Sequence, residues 1–120
     1  MKLLIVEEVP ALRRLIRSSL DGMDLTVSEC HDGRELLAAC AAQQPDWVLL
    51  DLNLSDTDAL AAARHISAAH PGAKVVVISD DDNLLMREAA RAAGVVGYVM
   101  KENLLELRQT FRADACNYIF

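Results

Sequence analysis

Three short apolar runs constrain this chain most: KLLIV at 2–6, WVLLD at 47–51 and KVVVIS at 74–79. A strand with one wet face alternates apolar and polar residues. A run of five or six apolar residues with no alternation reads as a strand covered on both faces. Segments of helical periodicity fill the gaps. In 10–20, Leu12, Leu15, Ile16 and Leu20 recur at helical spacing behind Pro10, which suits a first helical turn. Covered strands that take turns with amphipathic helices predict a parallel sheet with helices on both faces.

The remaining segments extend the pattern. LTVSEC at 25–30 alternates as a half-buried edge strand does, and VVGYVM at 95–100 is the last strand candidate. Asp32 and Glu35 form a capping-box pattern before a helix through Gln43. An alanine-rich helix runs from about Asp56 to Ala69, with Ser55 available as a cap, and Pro71-Gly72 ends the turn after it. Asp81 or Asp82 is placed to cap a fourth helix that stops at Gly94. Asn103 and Glu106 suggest a capping box for a fifth helix reaching roughly to Cys116. Five strands and five helices in 120 residues fit one domain over 1–120.

Charge and composition narrow the function. A formal net charge of −6 makes direct nucleic-acid binding unfavourable, because phosphate repels an acidic surface. No apolar run approaches the ~18 residues of a membrane span. MKLLIVEEVP becomes charged too early for a signal peptide. Cys30, Cys40 and Cys116 lack the spacing of a zinc site or a disulfide framework, and reduced cysteines suit a cytoplasmic setting.

In an open parallel sheet the ligand site lies beyond the carboxyl ends of the strands. Those ends carry Glu7 and Glu8, Asp51, Ser79 and Lys101. Carboxylates gathered on one rim raise each other's pKa unless a cation holds them, and Mg²⁺ takes oxygen ligands of this kind. With a lysine and a hydroxyl alongside, the set suits a tetrahedral oxyanion such as a phosphoryl group. Asp51 is then the candidate nucleophile for an acyl phosphate.

IVEEVP, LLDLNLSDTDA, VVVIS and GYVMK, in this order and spacing, resemble the motifs of response-regulator receiver domains. The resemblance covers nearly the whole chain. It implies a flavodoxin-like, doubly wound five-stranded sheet of strand order 2-1-3-4-5. It also implies that Asp51 accepts a phosphoryl group from a histidine kinase or phosphotransfer protein of a two-component phosphorelay. Glu7, Glu8, Asp51 and the backbone carbonyl of Asn53 would hold Mg²⁺. Ser79 and Lys101 would contact the phosphoryl oxygens, and Tyr98 would be the aromatic switch that moves inward when the hydroxyl is drawn away. Such a domain signals rather than turning over a substrate, although it takes part in its own phosphotransfer and dephosphorylation. The fourth helix, last strand and fifth helix, with Arg87, Arg91, Glu106, Arg108 and Arg112, offer a homodimer face. In receivers the first helix, here bearing Arg13, Arg14 and Arg17, is where kinases dock.

The chain departs from the family at two notable positions. Glu8 stands where Asp is usual, and its extra methylene disturbs contact with a cation that demands ~2.0–2.1 Å octahedral geometry. Asp80 follows the hydroxyl residue where a small side chain is usual. It either adds a like charge beside Asp51, or points to solvent while Asp81 and Asp82 serve the next helix's N-terminus. These departures raise the alternative of a receiver used as a phosphorylation-independent interaction module. Other chemistries on this fold match poorly. VEEVP lacks the hydroxyl- or glycine-rich phosphate loop of a flavin carrier, and DLN lacks the second acid of an aspartate-based phosphatase.

Overall fold

The computed structural model describes residues 1–112. Five strands, β1 (Lys2–Val6), β2 (Thr26–Cys30), β3 (Trp47–Asp51), β4 (Lys74–Ser79) and β5 (Gly97–Met100), form one parallel sheet of order β2-β1-β3-β4-β5. Between and after them lie α1 (Pro10–Ser19), α2 (Leu36–Gln43), α3 (Ala59–Ala69), α4 (Leu84–Ala92) and α5 (Glu106–Thr110). This is the doubly wound, flavodoxin-like topology.

The continuous apolar runs are explained by two separate cores. Leu4, Val6, Val48, Leu50, Val75 and Val77 face Leu36, Cys40, Ala63, Ile66 and Ala90 of α2, α3 and α4. The alternate residues Leu3, Ile5, Trp47, Leu49, Val76 and Ile78 face Ile16 of α1 and Leu107 of α5. Successive strand side chains point to opposite faces, so a strand covered twice has no place for a polar residue until it ends. Gly94 closes α4 at φ +91°, and an added Cβ there would collide with Ser67, so the position excludes larger residues twice over.

Several expected boundaries are corrected. The side-chain cap of α3 is Asp58, which accepts from Ala61 N at 3.1 Å, and the helix starts at Ala59 rather than near Asp56. Neither Asp81 nor Asp82 caps α4. Asn83 does, its Oδ1 accepting from Leu85 N at 2.8 Å and Met86 N at 3.2 Å. No side chain caps α5. Lys101–Asn103 form a 3₁₀ turn before it, so the expected Asn103–Glu106 box is absent. Cys116 lies outside the described residues. The box at α2 is half realised: Asp32 accepts from Glu35 N at 3.1 Å at the head of a 3₁₀ turn, Gly33–Glu35.

Candidate functional site

Parallel register brings the strand ends to one rim. Val6 is paired with Leu50 and Asp51 with Ile78, so Glu7, one step beyond β1, falls beside Asp51, the last residue of β3. Ser79 ends β4, and Lys101 follows β5 directly. Glu7, Asp51 and Ser79 are all buried.

Lys101 anchors the rim. Its Nζ lies 3.0 Å from Asp51 Oδ1, and it also donates to Asn53 Oδ1 at 3.3 Å and Asp80 Oδ2 at 3.4 Å. Burial by itself lowers the lysine pKa, but the hydrogen bond and charge of Asp51, with Asp80 and Glu7 adding to them, raise it on balance. The ammonium is therefore held charged against its carboxylates. Asp51 Oδ1 also accepts from Asn53 N at 2.8 Å.

Glu7 is fully buried, and its Oε1 accepts from Val9 N at 3.0 Å. Among the described residues nothing donates a hydrogen bond to its Oε2. Burial first, and the adjoining Asp51 carboxyl next, push its pKa up to about 8. A buried oxygen with no donor, set against a second carboxylate, can be satisfied by a proton or by a cation. The pair fits an oxygen-coordinated divalent ion, since Mg²⁺ commonly uses only one or two carboxylates and keeps its waters.

Glu8 does not join this pair. Its carboxylate accepts from Ser55 N at 3.1 Å and Ser55 Oγ at 2.7 Å, tying the loop after β1 to the loop after β3. No three His, Cys, Asp or Glu side chains converge as a metal-holding group among the described residues. Ser55, expected to cap α3, is the partner that draws Glu8 aside.

Ser79 and Tyr98 meet at one backbone carbonyl. Ser79 Oγ accepts from Asp81 N at 3.0 Å and donates to Asp81 O at 3.2 Å, while Tyr98 Oη donates to the same oxygen at 2.6 Å. Tyr98 is buried, with the Arg87 guanidinium 4.4 Å from its ring centroid, and Asp82 Oδ1 holds Arg87 Nε at 2.7 Å. The aromatic thus already lies inward, with the Ser79 hydroxyl held in a local turn.

The arginines mostly serve the chain itself. On α1, Arg13 pairs with Glu29 at 3.0 Å and donates to Glu7 O at 2.7 Å, which steadies the acidic loop rather than leaving a solvated face. Arg17 pairs with the same glutamate. Arg91 lies 3.6 Å from Glu88, and Arg108 donates to the Ser19 and Asp21 carbonyls at the end of α1.

The fold agrees with the comparisons to known proteins. A family model described as "Response regulator receiver domain" matches residues 3–112. A transcriptional regulatory protein of Bacillus subtilis, YxjL, is 31% identical over 114 residues, covering 92% of this chain and 52% of the relative. Response regulator MprA of Mycobacterium ulcerans is 30% identical over 105 residues, covering 88% of this chain and 45% of the relative. The crystal structure of a LuxR-family two-component response regulator from Aurantimonas sp. SI85-9A1 superposes with a TM-score of 0.90 at 25% identity, covering 99% of this chain and 88% of that one. The chain spans about half the length of these curated relatives.

Proposed function

The chain belongs to the response-regulator receiver family of two-component signalling, and we propose that within it Asp51 accepts a phosphoryl group from a histidine of a kinase or phosphotransfer protein. The observation that carries this reading is the Lys101 ammonium seated 3.0 Å from a buried Asp51 whose neighbour is Glu7. An Asp51 carboxylate oxygen attacks phosphorus in line as the P–N bond to the donor imidazole breaks. The electron pair returns to the ring, which leaves neutral because its other nitrogen carries a proton. Lys101 neutralises charge spread over the phosphoryl oxygens. Asn53 N–H holds the nucleophile in orientation.

Glu7, Asp51 and the Asn53 carbonyl are the residues that would hold Mg²⁺, with Glu8 outside that set as long as Ser55 retains it. A divalent cation, when bound, supplies further positive charge at the developing phosphoryl oxygens. Afterwards Ser79 exchanges its Asp81 partners for a phosphoryl oxygen. Tyr98 shares the Asp81 carbonyl, so that exchange alters what holds the aromatic and the surface of α4 and β5 above it.

Donor docking is supported by a groove of about 360 Å³ that runs from Leu15 of α1 past Leu104 and Leu105 to Lys101. A partner or second copy would read the face of α4, β5 and α5, where Leu84 and Leu85 stand 72% and 80% exposed. The domain works as one unit in the cytoplasm and signals, taking part in its own phosphotransfer and dephosphorylation without turning over a separate substrate. No helix among the described residues is long and apolar enough to cross a membrane.

Incubation with Mg²⁺ and a small phosphodonor tests the reading by intact mass. The wild-type chain gains one phosphoryl group and Asp51→Asn gains none. Equal labelling of both proteins, or of neither, contradicts it.

A further inference from the structure

A lysine ammonium has three N–H donors and no more. Three side-chain oxygens of this chain already crowd the Lys101 ammonium: Asp51 Oδ1 in an ion pair at 3.0 Å, and Asn53 Oδ1 at 3.3 Å and Asp80 Oδ2 at 3.4 Å as hydrogen-bond acceptors. A phosphoryl oxygen arriving at Asp51 competes with these oxygens for the ammonium. Asp51 is the buried acceptor itself. Asn53 sits two residues on, its own N–H bonded to Asp51 at 2.8 Å. Asp80 makes the longest of the three contacts, and its side chain is 70% exposed, so water can take it up at little cost.

The rest of the acidic run is engaged elsewhere. The Asp81 carbonyl holds Ser79 and Tyr98, and the Asp82 carboxylate holds Arg87. Among the described residues, Asp80 is the one of the three carboxylates bonded to a residue of the phosphoacceptor rim.

We propose that Asp80 is a resident competitor anion, holding on Lys101 the place that a phosphoryl oxygen takes, so that the chain discriminates against doubly charged phosphodonors. The inference rests on the reading of Asp51 as phosphoacceptor. Asp80 acts through Lys101 and is a positioning residue. A donor must supply enough binding to turn it out to solvent, and a docked protein donor does so more readily than a small free dianion.

The test compares the full chain with its Asp80→Asn and Asp80→Glu variants in Mg²⁺. Each is labelled over a range of donor concentrations with acetyl phosphate, a dianion, and with phosphoramidate, a zwitterion whose ammonium leaves a net charge close to −1. Thermal melting confirms that all three are folded. Asp80→Asn is expected to lower the half-saturating acetyl phosphate concentration about two- to fivefold, the range that one exposed ion pair supplies. The gain with phosphoramidate is smaller, and the difference narrows as salt screens the charge. Asp80→Glu keeps the charge and stays near wild type. Identical concentration dependence for wild type and Asp80→Asn, or Asp80→Glu behaving like Asp80→Asn, overturns the inference while leaving the phosphoacceptor reading intact. Labelling that does not depend on Asp51 in any of the proteins overturns both, and Asp51→Asn run in parallel identifies that case.

Discussion

Lys101→Ala slows phosphoryl gain at Asp51 by about 10²-fold or more, the scale of losing one preorganised donor from a site where charge develops. The variant removes the ammonium that sits 3.0 Å from Asp51 Oδ1 and leaves Glu7 and Asp51, both buried, with no lysine between them and Asp80. Without the ammonium, the charge that gathers on the phosphoryl oxygens beside these carboxylates is no longer neutralised by the protein. Lys101→Arg does not restore the rate, because a longer, planar guanidinium does not put its donors where the compact ammonium lies, 3.0 Å from Asp51 Oδ1. Time courses of labelling by intact mass for wild type, Lys101→Ala and Lys101→Arg check this. A Lys101→Ala rate within a few-fold of wild type contradicts it.

The largest effect on stability is expected at the other end of β3. Trp47 is 1% exposed, and its ring meets Phe111 edge-on with centroids 5.2 Å apart and planes at 70°. Lys74 Nζ covers it 4.9 Å from the centroid. Trp47→Ala removes the largest side chain of the core packed against α1 and α5, and costs about 3–5 kcal/mol. Urea unfolding reads this as a lower midpoint with an unchanged slope. Trp47→Phe loses less, since it keeps an aromatic contact and removes a buried indole N–H that has no hydrogen-bond partner among the described residues. A midpoint for Trp47→Ala close to wild type contradicts the account of this core.

Strands were legible in the sequence because burial on two faces leaves an unmistakable pattern. KLLIV, WVLLD and KVVVIS have the observed limits residue for residue. The rim followed from them, since parallel strands deliver their ends to one side. Caps were less legible. SDDDN offers several capping side chains in succession, and tertiary contacts decide among them: Arg87 takes Asp82, Lys101 takes Asp80, and Asn83 is left to cap α4. Ser55 and Asp58 were in the same position, with Glu8 taking the serine. The role of Asp81 left no signal at all, because it acts through its carbonyl and every residue has one. Trp47 shares a strand with Asp51 but lies at its opposite end, about 13 Å away at the rise of an extended chain. Its fluorescence therefore follows folding rather than events on the rim.

The structure of the full chain with Mg²⁺ and beryllofluoride tests the central claim most directly. The account predicts a tetrahedral beryllofluoride on Asp51, Lys101 turned from Asp80 to a fluorine, the cation held by Glu7 and Asp51, and Ser79 released from Asp81. Beryllofluoride absent from Asp51 at saturating Mg²⁺, or bound there while Lys101 keeps Asp80, would contradict it.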